Sequence, residues 1–318
     1  MNRIAIIGEC MIELNGAPFG AMQQTYGGDS LNTAVYLART AGDAVNIDYI
    51  TAMGTDALSE GMVTRWQQEG LNTDQVLRDP QRQPGLYLIQ LDEQGERTFL
   101  YWRNQSAARH MMQHPQFDAV AEYLASCELV YLSGISLAIL PEQDRERLLS
   151  LLKTLSEQGV VIAFDSNYRP ALWNSLEETR AVYGEMLSFT DLALVTFDDE
   201  QAIWGDEVPD AALSRLYRQG VKKAVIKLGA EGCLYGEAAN GQSERVGTTP
   251  VSRVVDTTSA GDAFNAGFLA GYLAGKPATV CCQQGHQLAG IVIQHKGAII
   301  PASATADMSF TTTKECQK

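Results

Sequence analysis

No apolar run in this 318-residue chain approaches the ~20 residues that a membrane span requires. Met1 to Cys10 has no separate basic region and no small-residue cleavage site, so the sequence predicts no signal peptide. Positive charge is scarce. Twenty-four Lys and Arg stand against 38 Asp and Glu, a net charge of −14. Such a balance repels a phosphate backbone and argues against a nucleic acid partner. Cysteine is sparse as well. Six are scattered along the chain, none in a CxxC pair, and Cys281 and Cys282 are adjacent. That spacing makes neither a disulfide framework nor a zinc or redox site, and free thiols in the cytoplasm are the plain reading. Four histidines (His110, His114, His286, His295) lack metal-ligand spacing. No GxGxxG follows the first strand-like run, which weakens a dinucleotide-dependent dehydrogenase reading.

What is present is alternation. The length suits two domains or one large α/β unit with a full core. Short apolar runs at Ile4–Gly8, Ile47–Ala52, Leu129–Ser133, Val160–Asp165, Leu192–Thr196 and Ala224–Leu228 are separated by helical patterns. This predicts a doubly wound, mostly parallel sheet with helices on both faces. One segment interrupts it. Gly85–Asp92 and Arg97–Arg103 flank a turn containing Gly95 and read as an antiparallel hairpin. Met11–Tyr26 has similar character and is expected to pair with it. The organisation predicted is a single α/β domain over 1–310, with lid strands inserted at about 11–27 and 84–104. A polar tail follows over 311–318.

Three loops carry chemistry. Asp256-Thr-Thr-Ser-Ala-Gly-Asp262 runs into a nearly apolar helix. Ser259, Ala260 and Gly261 are small enough to expose backbone N–H groups at the positive end of that helix, where phosphate oxygens bind. Asp262, in the first turn, can accept a proton from an attacking hydroxyl. The bland alternative is a capping box between Ser259 and Asp262. Gly267, Gly271 and Gly275, four apart, are expected to allow close packing of this helix on the sheet. The second loop is Lys227-Leu-Gly-Ala-Glu-Gly232, whose Gly229 and Gly232 permit positive φ and close approach of a ligand. The third is Gly27-Gly-Asp-Ser-Leu-Asn32, opening a helix predicted over Thr33 to Thr40. There Gly28 bares backbone and Asn32 both donates and accepts, and a cap by Asp29 or Ser30 is the bland reading.

In this order and spacing the three loops resemble the ribokinase (PfkB) carbohydrate kinase family, from about Arg3 to Pro301. The resemblance implies a ribokinase-like fold with a small β lid and ATP-dependent phosphorylation of a sugar hydroxyl. It implies Asp262 as catalytic base, Ser259, Ala260 and Gly261 as anion hole, and Lys227, Gly229 and Gly232 as nucleotide-binding. It further implies a monovalent cation, potassium being the candidate, at Asp256 and Thr258 with ligands near Gly297. Magnesium accompanies ATP. The family usually organises it through an N-x-x-E motif; here the region is Thr196-Phe-Asp-Asp-Glu200, so Asp199 or Glu200 is left to act through water. Lid strands often pair between subunits in the family, which implies a homo-oligomer through the lid.

The sugar is narrowed by two further stretches. Asp165-Ser-Asn-Tyr-Arg-Pro170 follows a strand whose carboxyl end is where open α/β sheets bind ligands, so Arg169 is expected to face the pocket. Period-two alternation places Tyr87, Tyr101 and Arg103 of the hairpin with their polar tips on one face. Two arginines and two tyrosines suit an acid sugar, because guanidinium binds carboxylate bidentately. Within the family this is similar to the branch that acts on 2-keto-3-deoxygluconate. The implied reaction is transfer of the ATP γ-phosphoryl group to the 6-hydroxyl of that sugar acid, bound by Gly28, Asn32, Tyr87, Tyr101, Arg103 and Arg169. A kinase for fructose, 2-ketogluconate, ribose or a nucleoside is the alternative. An inactive sugar sensor is the alternative of another class. Glu9 and Glu13 lie near enough to reach the pocket and are left without a role.

Overall fold

A computed structural model describes residues 2–91 and 97–310. The turn containing Gly95 and the tail 311–318 lie outside the described residues. The chain opens with β1 (Asn2–Ile7), β2 (Met11–Gly16) and β3 (Met22–Gly27), then a helix over Asp29–Ala41 and β4 (Val45–Ile50). Two short strands, β5 (Ala52–Gly54) and β6 (Leu77–Asp79), pair with each other. The interrupting segment forms β7 (Leu86–Leu91) and β8 (Arg97–Trp102). Then come β9 (Leu129–Ser133), β10 (Val161–Asp165), β11 (Leu192–Thr196) and β12 (Lys223–Lys227), followed by β13 (Cys233–Glu237) and β14 (Gln242–Val246).

Eight strands make the central sheet in the order β14–β13–β12–β11–β10–β9–β1–β4. The neighbours from β12 to β4 run parallel, while β13 and β14 are antiparallel. The parallel strands explain their own sequences. Alternate residues point to opposite faces, so both faces must be apolar when helices cover both. Ile4 and Ile6, Tyr131, Ala163 and Leu194 enter one core, with the helices Asp29–Ala41, Ala260–Leu273 and Ala278–Val292. Ala5 and Ile7, Leu132, Phe164 and Val195 enter the other, with helices such as Glu142–Glu157 and Leu176–Leu187. The predicted strands coincide with this sheet to within two residues. The sequence reading passed over β14 because Gln-Ser-Glu-Arg-Val is polar and mostly exposed, an edge strand with little core to fill.

The smaller sheet has the order β3–β2–β7–β8, with β2 and β7 parallel and the hairpin pairs antiparallel. β8 is an edge strand, and Phe99, Leu100, Tyr101 and Trp102 along it are exposed.

Two expectations about helices are corrected. The first helix begins at Asp29 rather than Thr33, and no side chain caps it. Ser30 Oγ instead shares a 3.0 Å hydrogen bond with Tyr49, and Asp29 accepts from Asn167. The small-residue face of Ala260–Leu273 packs on a helix, not on the sheet. A Cβ at Gly267 would stand 2.6 Å from the Gln284 carbonyl oxygen, and one at Gly271 within 3.2 Å of Cys281 Cα. Only glycine lets Ala278–Val292 approach this closely. Gly275, at φ +67, ends the helix instead. Among the described residues no helix is long and apolar enough to cross a membrane.

Candidate active site

The site lies at the carboxyl ends of the central strands. Chain direction away from β1 reverses there, since β4 lies on one side of it and β9 on the other. Ser259 takes the left-handed conformation at φ +65 and starts the Ala260–Leu273 helix without capping it. Its Oγ donates to Asp262 Oδ2 at 3.0 Å, so the capping-box reading is corrected. The Ala260 N–H, expected to be bare, donates to the Thr257 carbonyl at 3.2 Å. Among the described residues the N–H groups of Gly261 and Asp262 have no backbone acceptor, as helix geometry dictates for a first turn.

Asp262 faces the amino end of the first helix. Asn32 Nδ2 donates to its Oδ2 at 2.9 Å. Burial raises the Asp262 pKa to about 7, and the neighbouring Asp29 charge adds to the rise; the Asn32 and Ser259 hydrogen bonds pull it down. A carboxyl group held near neutrality is suited to taking up a proton.

Beneath this turn is a buried polar network. Asp165 Oδ2, at the end of β10, accepts from Lys227 Nζ at 3.1 Å and from Asn265 Nδ2 at 2.7 Å. Asn265 Oδ1 accepts from Lys227 at 3.1 Å, and its amide also donates to the Tyr131 hydroxyl. A Cβ on Gly261 would stand 3.6 Å from Lys227 Nζ. Lys227 therefore sits under the helix start, paired and buried, rather than at the glycine turn that follows it. In that turn Gly229 and Gly232 have φ of +58 and +98, and a Cβ at Gly232 would strike the Val246 carbonyl oxygen at 2.1 Å. Asp256 accepts from Thr258 N and Oγ1 at 3.0 and 2.7 Å and from Gly297 N at 3.0 Å, which ties the two loops together.

Of the two candidate acids near Thr196, only Asp199 faces the site. Its Oδ2 accepts from Ser166 Oγ at 3.2 Å and Tyr168 N at 3.1 Å, and burial and Asp165 raise its pKa. Glu200 turns away and pairs with Arg215 at 2.6 Å; burial raises its pKa to about 7.

The lid brings Gly28, Tyr87 and Arg103 together. Gly28 lies against the Glu9 backbone, where a Cβ would come within 2.2 Å of the carbonyl oxygen. Tyr87 is opposite Tyr101 in register, ring centroids 6.0 Å apart, and donates to Glu13 Oε2 at 2.5 Å. Burial, with the Glu13 charge, raises its pKa. Arg103 is buried in an ion pair with Glu9. Tyr101 is 52% exposed. Arg169 is exposed after the end of β10; its Nη1 donates to the Tyr168 carbonyl at 2.9 Å, and its charge lowers the pKa of Asp199. Asn167 at φ +31 turns the chain there and donates to Asp29, the neighbour of Gly28, at 2.6 Å.

A cleft of about 640 Å³ lies beyond the glycine turn, lined by Gly247, Thr249, Val251, His286, Gly290 and Gln294 among others. The Gly232 turn packs on Val246 and Gly247 at its edge. His286 meets Phe264 edge-on at 4.9 Å, and burial lowers its pKa, which keeps the ring neutral.

The sequence pattern described as "pfkB family carbohydrate kinase" matches residues 1–305. The chain is a member of the pfkB family. It is 55% identical over 309 residues to the 2-dehydro-3-deoxygluconokinase of Haemophilus influenzae, covering 97% of this chain and 98% of that one. It is 46% identical over 306 residues to the protein of the same name from Escherichia coli K12, covering 95% and 98%. A crystal structure of a putative ribokinase II from E. coli, in complex with ATP and magnesium, superposes with a TM-score of 0.81 at 21% identity, covering 94% of each chain. In this pfkB kinase the sequence reading missed Asn265, Tyr131 and the His286 cleft, and took Asp29 only for a helix cap. Asn265 carried a usable signal: a polar residue one turn after Asp262 in an otherwise apolar helix. The others are assembled only by the tertiary fold.

Proposed function

We infer that the protein is a 2-dehydro-3-deoxygluconokinase, which transfers the γ-phosphoryl group of ATP to the 6-hydroxyl of 2-dehydro-3-deoxy-D-gluconate. The observation that carries the chemistry is Asp262 beside the N–H groups of Gly261 and its own backbone, which have no backbone acceptor among the described residues, at a helix start. The name borne by relatives at 46 and 55% identity carries the substrate. In this reading ionised Asp262, oriented by Asn32 and Ser259, takes the proton of the attacking hydroxyl. The oxygen bonds phosphorus as the bond to the β-phosphate oxygen breaks, and ADP leaves with its electron pair. The helix-start N–H groups hold the charge on the transferring group. Lys227 beneath Gly261 strengthens that field without touching the phosphate.

The nucleotide is assigned to the Gly229–Gly232 turn and the cleft beyond it, with His286 as a neutral wall. ATP requires magnesium, which neutralises phosphate charge when bound. Asp199 fits as its partner through water: it is held at the site by Ser166 and Tyr168, close enough to Asp165 for the two carboxylates to repel. Potassium beside Asp256 and Thr258 is the finer assignment, tested by comparing turnover in potassium and sodium. We place the enzyme in the cytoplasm as one unit over 1–310; the five cysteines among the described residues are unpaired. We also propose pairing of two copies through the exposed edge strand β8, tested by sedimentation of Trp102→Glu.

The test is ADP release with Mg-ATP and 2-keto-3-deoxygluconate, 2-ketogluconate, fructose, ribose or no sugar. A kcat/KM for the first well above the rest is expected. Preference for a neutral sugar retains the kinase and overturns the sugar-acid assignment.

A further inference from the structure

The Glu9–Arg103 pair is arranged oddly for an ion pair that serves only the fold. Glu9 is 3% exposed and Arg103 9%. Arg103 Nε donates to Glu9 Oε2 at 2.8 Å, and Nη2 donates to the same oxygen. An arginine fork usually satisfies both oxygens of a carboxylate at once. Here Glu9 Oε1 is buried with no hydrogen-bond partner among the described residues. Nη1 also has no acceptor among the described residues. The pair is hemmed in by Gly85, where a Cβ would meet Glu9 Oε1 at 2.9 Å and Arg103 Cβ at 3.2 Å. The guanidinium also lies 5.9 Å from the Tyr101 ring centroid. The side chain is thus held on one edge and against one ring, and its other terminal nitrogen is left open.

We propose that Glu9 is a positioning residue for sugar-acid recognition: it anchors the Nε–Nη2 edge of Arg103 so that Nη1 is presented to the substrate carboxylate. This rests on the reading of Arg103 as the carboxylate ligand. An unanchored arginine would have to give up its rotamer freedom when the sugar binds, and Glu9 removes that cost beforehand. Glu9 also compensates the buried charge while the pocket is empty. The effect acts on sugar binding and not on phosphoryl transfer, so it belongs in the KM for the sugar acid.

Steady-state kinetics of four variants test this. Glu9→Ala is expected to raise the KM for 2-keto-3-deoxygluconate about tenfold, with kcat and the KM for Mg-ATP unchanged. Glu9→Asp keeps the charge but pulls the anchor back by one methylene, and is expected to raise the same KM several-fold. Arg103→Ala and Glu9→Ala/Arg103→Ala are expected to have equal KM values, because Glu9 has nothing to position once Arg103 is gone. Should Glu9→Ala fail to fold with its stranded arginine, Glu9→Asp and the charge-free double variant decide. An unchanged KM in Glu9→Asp, a matching fall in kcat, or multiplying effects in the double variant overturns the proposal. Arg103→Ala with an unchanged sugar-acid KM overturns the carboxylate reading itself. A large Arg103→Ala effect beside silent Glu9 variants overturns only the positioning role.

Discussion

The two halves of the site handle charge in opposite ways. At the helix start, Asp262 is buried beside another carboxylate and made reluctant to ionise. In the lid, the groups assigned to recognition are already matched: Arg103 to Glu9 and Tyr87 to Glu13. Chemistry here uses an uncomfortable group, and recognition uses groups made comfortable in advance. The difference teaches where each half is vulnerable. Altering Asp262 should cost rate while leaving or raising stability. Altering the second should cost affinity.

The largest expected effect comes from Asp262→Asn. It should lower kcat by about 10²–10⁴-fold, the usual worth of a positioned base. It should also raise Tm, because it removes a carboxylate whose ionisation is disfavoured in the fold. The folded pKa, about 7, lies above the unfolded value, so the stabilising contribution of Asp262 is present at acid pH and lost as pH rises through about 7. The Tm gain should therefore appear at pH 8 and vanish near pH 4. Calorimetry of both proteins at the two pH values checks it, and a lower Tm at pH 8 would erase the contrast drawn above.

Next in size is Lys227→Met. It leaves Asp165 buried without its cation, a loss of about 3–5 kcal/mol in denaturant unfolding. A fall in kcat in the folded remainder would support the charge beneath the helix start.

The pH profile sharpens the same half. Only ionised Asp262 accepts a proton, so kcat/KM should rise about tenfold per unit up to about pH 7 and then level. Asn32 and Ser259 hold the pKa down through hydrogen bonds. Asn32→Ala should move that midpoint upward, and a midpoint that stays put would remove Asp262 from the limb. The smallest effect belongs to the lid. Tyr87→Phe should raise the sugar KM by no more than about tenfold with kcat unchanged, since Glu13 keeps its 3.0 Å bond from Thr25.

Much of this was legible in the order of residues. Continuous apolar runs such as Leu129–Ser133 announce strands covered on both faces, and the Asp256–Asp262 loop announces an anion-binding helix start. What stayed hidden were partners. Nothing near Arg103 says that a glutamate 94 residues earlier will take it, and nothing near Lys227 says that Asp165 will. Periodicity gives the direction of a side chain relative to its own strand; a pairing needs the layout of every strand between. Arg169 shows the same dependence, since its place beside Asp199 is set by how Asn167 turns the chain.

The bond from Asn32 to Asp262 joins residues 230 apart in the chain, and Tyr36 reaches the Ala298 carbonyl across 262. Contacts of such high order cannot form until residues 262 and 298 have been made. At translation rates of about 5–20 residues per second, the Gly27–Asn32 loop waits some tens of seconds for its partner. Any nascent or truncated chain that stops before the Ala260–Leu273 helix lacks Asp262 altogether, so on the proposed assignment phosphorylating activity reports that the chain has been made past that residue and closed.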